Sequence, residues 1–241
     1  MLAGVSLPVL EIGPVRIAPF ATMLAGGILC GHYATRWRAR NTGLDAALAN
    51  MLFAWMVWFA FAGSLAWRVA DNPARFWDVP LLWGTVFEEM SSLPAIAAGT
   101  LGAVAFLSWA ALPLTAWFRY LDCAAWAFPF GWLLARLGCS LTHGHPGRGG
   151  VDLALLEAAA AAALALLFLA AGSRPFAPGW ITGALLVGLA AVRLALYPWR
   201  FDPPLLAGLP VERLACLLAV MSGGLLLYGA RLVSPGKAEL V

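Results

Sequence analysis

The segment from Ala135 to Arg148, ARLGCSLTHGHPGR, gathers side chains that can bind anions and transfer protons. It carries the arginines Arg136 and Arg148 and the histidines His143 and His145. A guanidinium group can hold a phosphate or a carboxylate through two parallel hydrogen bonds. An imidazole with an unperturbed pKa of about 6.5 can exchange protons near neutral pH. The segment is therefore a candidate for anion binding combined with acid–base chemistry.

Two arginines, Arg136 and Arg193, lie within apolar runs of the sequence. A charged group inside a membrane costs several kcal/mol and usually faces a cavity or a partner. We expect both arginines to serve a cavity that binds an anion such as a phospholipid head group. Pairing with acidic side chains on the same side of the membrane is the alternative. The candidate partners are Asp152, Glu157, Asp202 and Glu212.

The composition identifies the kind of fold that must position these groups. Of the 241 residues, 62% are hydrophobic and only 11% are charged, whereas a soluble domain has about 25% charged residues. The sequence predicts an all-α polytopic membrane protein that forms a single integral membrane domain over residues 1–241. The net charge of +3 is too small to indicate a nucleic-acid partner. About seven transmembrane helices are predicted, at 18–35, 47–69, 92–112, 121–141, 152–172, 178–197 and 211–230.

The distribution of basic residues predicts the orientation. Alternate connections and the C-terminal end carry the basic residues that the positive-inside rule assigns to the cytoplasm. The N-terminus is therefore expected outside (periplasmic) and the C-terminus in the cytoplasm. No basic n-region precedes a short apolar core, so no removable signal peptide is expected. The residues used are Arg36, Arg38 and Arg40 in the first loop, Arg119 and Arg174 in later loops, and Arg231 and Lys237 after the last span.

Other chemically capable residues have simpler interpretations. The four scattered cysteines, Cys30, Cys123, Cys139 and Cys216, are interpreted as small buried hydrophobic residues rather than as disulfides or ligands. His143 and His145 could bind a metal together with Cys139 or Asp152, but no second ligand pair at a recognisable spacing supports this. We predict no metal. Tryptophans at span ends are interpreted as an aromatic belt: Trp77, Trp83, Trp117, Trp126, Trp180 and Trp199.

The segment ARLGCSLTHGHPGR resembles, without a gap, the signature G-R-I-G-N-F-I-N-G-E-x-x-G-R of the bacterial prolipoprotein diacylglyceryl transferases. Further stretches resemble the family in the same order along the chain: EIGPVRIAPFATMLAGG, EEMSS, VDLALLEA and VRLALYPWR. Residues placed on family positions by this resemblance are Arg136, Gly138, Gly147, Arg148, Glu157, Arg193 and Arg200.

The resemblance implies an enzyme of the bacterial inner (plasma) membrane. It would move a diacylglyceryl group from phosphatidylglycerol to the cysteine thiol of the lipobox in a preprolipoprotein, without a cofactor. His143 and His145 are candidates for the base, and Glu157 completes the catalytic set, as a residue that orients an arginine. The implied substrate-binding residues are Arg136, Gly138, Gly147, Arg148, Arg193 and Arg200.

Several positions depart from the family pattern. Cys139 replaces an asparagine, Gly144 replaces the glutamate of the signature, and Leu93 stands at the position of a histidine. A second interpretation is therefore a non-catalytic member that binds phospholipid or a lipoprotein precursor. A transporter is a third, which the lack of an inverted repeat disfavours.

Overall fold

The computed structural model describes residues 10–12, 15–17, 19–71, 92–142, 147–172, 174, 176–200, 205–206 and 209–233. Within these ranges lie seven helices, two one-turn 3₁₀ segments and two short antiparallel hairpins. The helices are α1 (Pro19–Asn41), α2 (Ala46–Asp71), α3 (Ser92–Trp109), α4 (Leu114–Thr142), α5 (Leu153–Ala171), α6 (Trp180–Leu196) and α7 (Val211–Val233). The 3₁₀ segments are Arg148–Gly150 and Tyr197–Trp199. The hairpins pair β1 (Leu10–Ile12) with β2 (Val15–Ile17) and β3 (Leu205–Leu206) with β4 (Leu209–Pro210).

The predicted all-helical class is confirmed. Helices α2, α3, α5, α6 and α7 are long and apolar enough to cross a membrane. Helices α1 and α4 carry more charge, and the count of seven crossings stays a prediction. The predicted boundaries hold within a few residues except at the end of α1 and the start of α4.

The sequence predicted a loop at each of these two ends, and both predictions are wrong because the residues are helical. Helix α1 continues to Asn41, so Arg36, Arg38 and Arg40 lie on its last turns rather than in a loop. Helix α4 begins at Leu114 and therefore contains Arg119. A basic helix end satisfies the positive-inside pattern as well as a basic loop does, and hydropathy alone does not separate the two.

Small residues bring neighbouring helices into close contact. A Cβ atom on Gly27 of α1 would lie 2.7 Å from the carbonyl oxygen of Gly131 on α4, and the reverse distance is 2.9 Å. Gly183 of α6 and Gly223 of α7 approach each other in the same way, with both distances at 2.8 Å. Close backbone approach between small residues is a main source of helix association in membranes. These contacts fix α1 on α4 and α6 on α7.

At one end of the bundle, side chains from α1 and α4 cap two other helices. Asp122 of α4 accepts hydrogen bonds from the backbone N–H groups of Gly179 and Thr182, both at 2.8 Å, at the start of α6. Arg38 donates to the carbonyl oxygens of Gly172 and Arg174, at the end of α5. Both side chains complement the partial charges of the helix ends they meet.

Two residues have different roles from those predicted at this end. Arg38 is buried, so it stabilises the bundle rather than marking a loop. Trp126 is also buried: its indole N–H donates to the Phe168 carbonyl at 3.1 Å, and its ring stacks on Trp37. The belt assignment is therefore wrong for Trp126.

The contacts at the capped end of the bundle determine which helix ends meet at the opposite end. Asp122 near the start of α4 caps the start of α6, and Trp126 of α4 bonds to Phe168 near the end of α5. The other ends of these three helices therefore lie together. That opposite end carries Arg136 of α4, Glu157 of α5 and Arg193 of α6.

The close contact between α1 and α4 gives a testable prediction. Replacing Gly27 by alanine forces the two backbones apart, and overpacking of this kind costs about 1–3 kcal/mol. We expect Gly27→Ala to lower the thermal unfolding midpoint in detergent. The matched control is Gly224→Ala on α7, where a new Cβ meets nothing within 4 Å and the midpoint should not fall. Equal midpoints for the two variants would contradict the packing described here.

Candidate functional site

Three arginines and two glutamates form a closed network with one serine where five helices meet. Going around, each neighbouring pair is in contact: Arg136–Glu157, Glu157–Arg200, Arg200–Glu212, Glu212–Arg193, Arg193–Ser92 and Ser92–Arg136. We call these six residues the charged ring. Ser92 belongs to α3, Arg136 to α4, Glu157 to α5, Arg193 to α6 and Glu212 to α7, while Arg200 follows the 3₁₀ segment after α6.

Glu157 and Glu212 each hold two arginines. Glu157 lies 2.6 Å from Nε of Arg136 through Oε2 and also pairs with Arg200 through Oε1. Glu212 Oε1 lies 2.9 Å from Arg193 and 3.1 Å from Arg200. Glu157 is 4% exposed and Arg200, the most accessible of these five side chains, is 22% exposed. Removing one member of such a buried set leaves an uncompensated charge, which is strongly destabilising.

The local sequence favours this arrangement. Glu212 stands in the first turn of α7 and Arg193 in the last turn of α6, where their charges complement the helix dipoles. Glu157 lies one turn into α5, whose N-terminus is capped by Asp152 through Leu155 N–H at 3.1 Å. Asp152, also bonded to Ser140, is thus engaged as a helix cap. The alternative interpretation, pairing of Arg136 and Arg193 with acidic residues, is realised by Glu157 and Glu212. Asp202 lies outside the described residues.

The ring carries a net positive charge. With all five ionised groups charged, its three guanidinium ions exceed its two carboxylates by one. Arg136 Nε and Glu157 Oε2 are close but are not aligned as a hydrogen bond; among the described residues neither atom has a hydrogen-bond partner, and the same holds for Arg200 Nε. An excess cation with spare donors in a poorly solvated position suits a monoanionic ligand.

The ring of one tryptophan contacts two of the arginines. Trp132 precedes Arg136 by four residues on α4, which places both on one face of the helix. The guanidinium carbon of Arg136 lies 4.3 Å from the Trp132 ring centroid, and that of Arg193 lies 5.7 Å away. Such cation–π contacts hold the planar cations in place. Cys139, on the next turn of α4, lies beside Arg136.

An open cleft leads away from the ring between α5 and α6. It is small, with a volume of about 10 Å³, and combines an apolar lining with Glu157 and Arg193 of the ring. Its other lining residues are Trp132, Ala160, Ala161, Leu164, Leu189 and Val192. Apolar side chains of α5 and α6 thus lie directly beside the charged groups.

The remaining predicted site residues lie in different places. Gly138 packs α4 on α1, because a Cβ there would lie 2.8 Å from Met23 Cβ. Gly147 is buried, and a Cβ there would lie 2.7 Å from the Trp199 carbonyl oxygen, just before Arg200. Arg148 is exposed. His143 and His145, with the metal alternative that involves them, lie outside the described residues.

Sequence reasoning found the ring arginines but missed two of the contacts around them. Trp132 could have been found from its spacing of four residues before Arg136. Ser92 carried no signal, because a serine at the start of an apolar segment is commonplace and its partners are 44 and 101 residues away.

We expect the ion pairs of the charged ring to be coupled in their contribution to the free energy of unfolding. Glu157→Gln and Arg200→Gln should each lower the free energy of unfolding, while the double variant should lose less than the sum, with a coupling of about 1–3 kcal/mol. Unfolding of the purified protein in mixed detergent micelles measures this cycle. The control cycle pairs Glu157→Gln with Arg40→Gln, an exposed arginine near the end of α1, and should be additive. Additivity in both cycles would refute the coupling.

Comparisons with known proteins match this chain to one family. A family model described as prolipoprotein diacylglyceryl transferase matches residues 8–229. A phosphatidylglycerol–prolipoprotein diacylglyceryl transferase of Frankia alni is 31% identical over 102 residues, which are 39% of this chain and 26% of that relative. A protein of the same name from Frankia casuarinae is 28% identical over 113 residues, 43% of this chain and 27% of the relative. The matched segments span about a quarter of these relatives' length.

The family model covers nearly the whole chain, from the first hairpin to the last helix. The chain therefore belongs to the prolipoprotein diacylglyceryl transferase family.

Proposed function

We propose that this protein transfers a diacylglyceryl group from phosphatidylglycerol to the lipobox cysteine thiol of a preprolipoprotein. The observation that carries the proposal is the charged ring, whose net single positive charge complements the single negative charge of a phosphodiester. Arg136 and Arg193 expose neighbouring N–H groups towards one point, the Ser92 hydroxyl. The apolar residues of α5 and α6 beside the ring offer a surface against which an acyl chain can lie.

The ring also suits the charge change of the reaction. The thiolate sulfur attacks the glycerol carbon bound to the phosphate oxygen, a C–S bond forms, and the C–O bond breaks. The bonding electrons leave with the oxygen of glycerol phosphate, which carries more negative charge than the diester did. Guanidinium groups held in place by Glu157 and Glu212 stabilise this developing charge without reorganising. Glu157 therefore acts by orienting Arg136 and Arg200.

The thiol must lose its proton because the thiolate is the nucleophile. We assign this proton to His143 or His145, which directly follow α4 and whose ordinary pKa suits the task. Arg200 binds within the ring and Arg148 lies at its mouth. Gly138 acts by packing α4, which carries Arg136, on α1, and Gly147 by packing against Trp199 just before Arg200. The nucleophile belongs to the substrate, so the reaction needs no cysteine of this chain, and it uses no metal or other cofactor.

We also propose where the protein lies in the cell and how it is oriented. The chain forms one integral domain of the bacterial inner membrane that crosses it seven times, with the N-terminus outside and the C-terminus in the cytoplasm. The basic ends of α1 and α7 then face the cytoplasm. The ring, at the opposite end of α4, α5 and α6 from the buried Arg38, faces the side on which preprolipoproteins emerge.

A second candidate function is binding without catalysis. Leu93, Cys139 and Gly144 replace a histidine, an asparagine and a glutamate of the family pattern, which favours a member that holds phospholipid or a lipoprotein precursor without transferring a group. An assay of glycerol phosphate release from phosphatidylglycerol separates the two functions.

We expect purified protein in nanodiscs to release glycerol phosphate from phosphatidylglycerol when a lipobox peptide is supplied. Arg136→Gln should lower kcat/KM by about a hundredfold, the loss typical of removing one charge-stabilising donor. Arg40→Gln, which removes an exposed arginine far along α1, should keep wild-type turnover. Phosphatidylglycerol binding that depends on Arg136, without turnover, would establish the binding function instead.

The base assignment has its own prediction. Turnover should rise with pH through a pKa of about 6–7, as a histidine that must be neutral deprotonates. His143→Ala or His145→Ala should abolish this limb and most of the rate, while the other variant stays active. Full activity with an unchanged pH profile in both variants would exclude the histidines as the base.

A further inference from the structure

Ser92 occupies an unusual position in the charged ring. Its Oγ atom accepts N–H groups from Arg136 at 3.2 Å and from Arg193 at 3.0 Å. A hydroxyl has two acceptor sites and one donor proton. Both acceptor sites are therefore taken by cations. Among the contacts of the described residues, the Ser92 proton has no acceptor.

The surroundings hold this hydroxyl in place. Arg136 and Arg193 are fixed on their far sides by Glu157 and Glu212 and rest on the ring of Trp132. Ser92 itself is the first residue of α3. The two guanidinium groups thus converge on Oγ from rigid supports, and an anionic oxygen held by both would lie within reach of the same hydroxyl.

Two cationic donors also change the hydroxyl. Hydrogen bonds polarise one another in a poorly solvated site, so accepting two charged donors makes the O–H a stronger donor. A strong donor beside two cations favours an anionic oxygen over a neutral carbonyl. Ser92 belongs to α3, so its hydroxyl is positioned by a different helix from those that supply the arginines.

We propose that Ser92 is a substrate-positioning residue that donates a hydrogen bond to a non-bridging oxygen of the phosphodiester held by Arg136 and Arg193. This inference rests on the proposed function and adds a neutral donor to its arginine site. It requires the lipid phosphate to lie beside the start of α3, opposite Trp132.

Binding of phosphatidylglycerol, measured by native mass spectrometry on the full chain in detergent, tests this without requiring turnover. Ser92→Ala should raise the dissociation constant about ten- to a hundredfold, the effect of losing a hydrogen bond to a charged group. Ser92→Thr keeps the hydroxyl and should restore the wild-type value. Ser108→Ala, near the other end of α3 and exposed, is the matched control and should bind as wild type. Diacylglycerol, which has the apolar body of the lipid but no phosphate, is the reference for non-specific binding and should change in none of the variants.

The outcomes separate the two proposals. If the wild type prefers phosphatidylglycerol and Ser92→Ala binds it equally well, the role of Ser92 is overturned and the proposed function stands. A wild type without this preference overturns the proposed function and the Ser92 role with it. If Ser92→Ala fails to fold, weak binding by folded Ser92→Thr would still overturn the proposal. With turnover, KM should rise in Ser92→Ala while kcat changes less, a split that a purely structural role does not predict.

Discussion

The central constraint on this protein is the need to keep three guanidinium ions together in a membrane. Such groups repel one another and lose their hydration, so a fold can retain them only by supplying partners. Here two glutamates and one serine, from three helices, close the arginines into a ring. The carboxylates balance two of the three charges and leave one for a ligand. The ring is thus a structural link between helices, and we propose that it also binds a monoanion.

The rest of the bundle explains why these ends meet. Glycine contacts set α1 against α4 and α6 against α7, and the caps made by Arg38 and Asp122 tie the opposite ends of α5 and α6 to α1 and α4. One end is satisfied internally, since the capping charges meet backbone groups. At the other end, the charged ring has one more cation than anions. This asymmetry distinguishes the end whose charges cap helices from the end that we propose binds an anion.

The sequence predicted the helices well because apolar length is a local property. It also identified Arg136, Arg193, Arg200 and Glu157, since charges in apolar runs and a spaced signature are visible without a structure. It could not tell that Arg38 and Trp126 are buried, because a basic or aromatic residue near a span end has the same local pattern whether it faces lipid or a neighbouring helix. Ser92 depends on partners far away in sequence, which no local pattern encodes.

The most direct test of the ring as a phosphodiester site is an experimental structure of the protein with phosphatidylglycerol in a nanodisc. If the ring binds the phosphodiester, we expect non-bridging phosphate oxygens within about 3 Å of the Arg136 and Arg193 nitrogens. The Glu157 and Glu212 pairs should be retained, and an acyl chain should enter between α5 and α6. A head group bound elsewhere, with the ring unchanged and closed to it, would show that the ring is not the phosphodiester site.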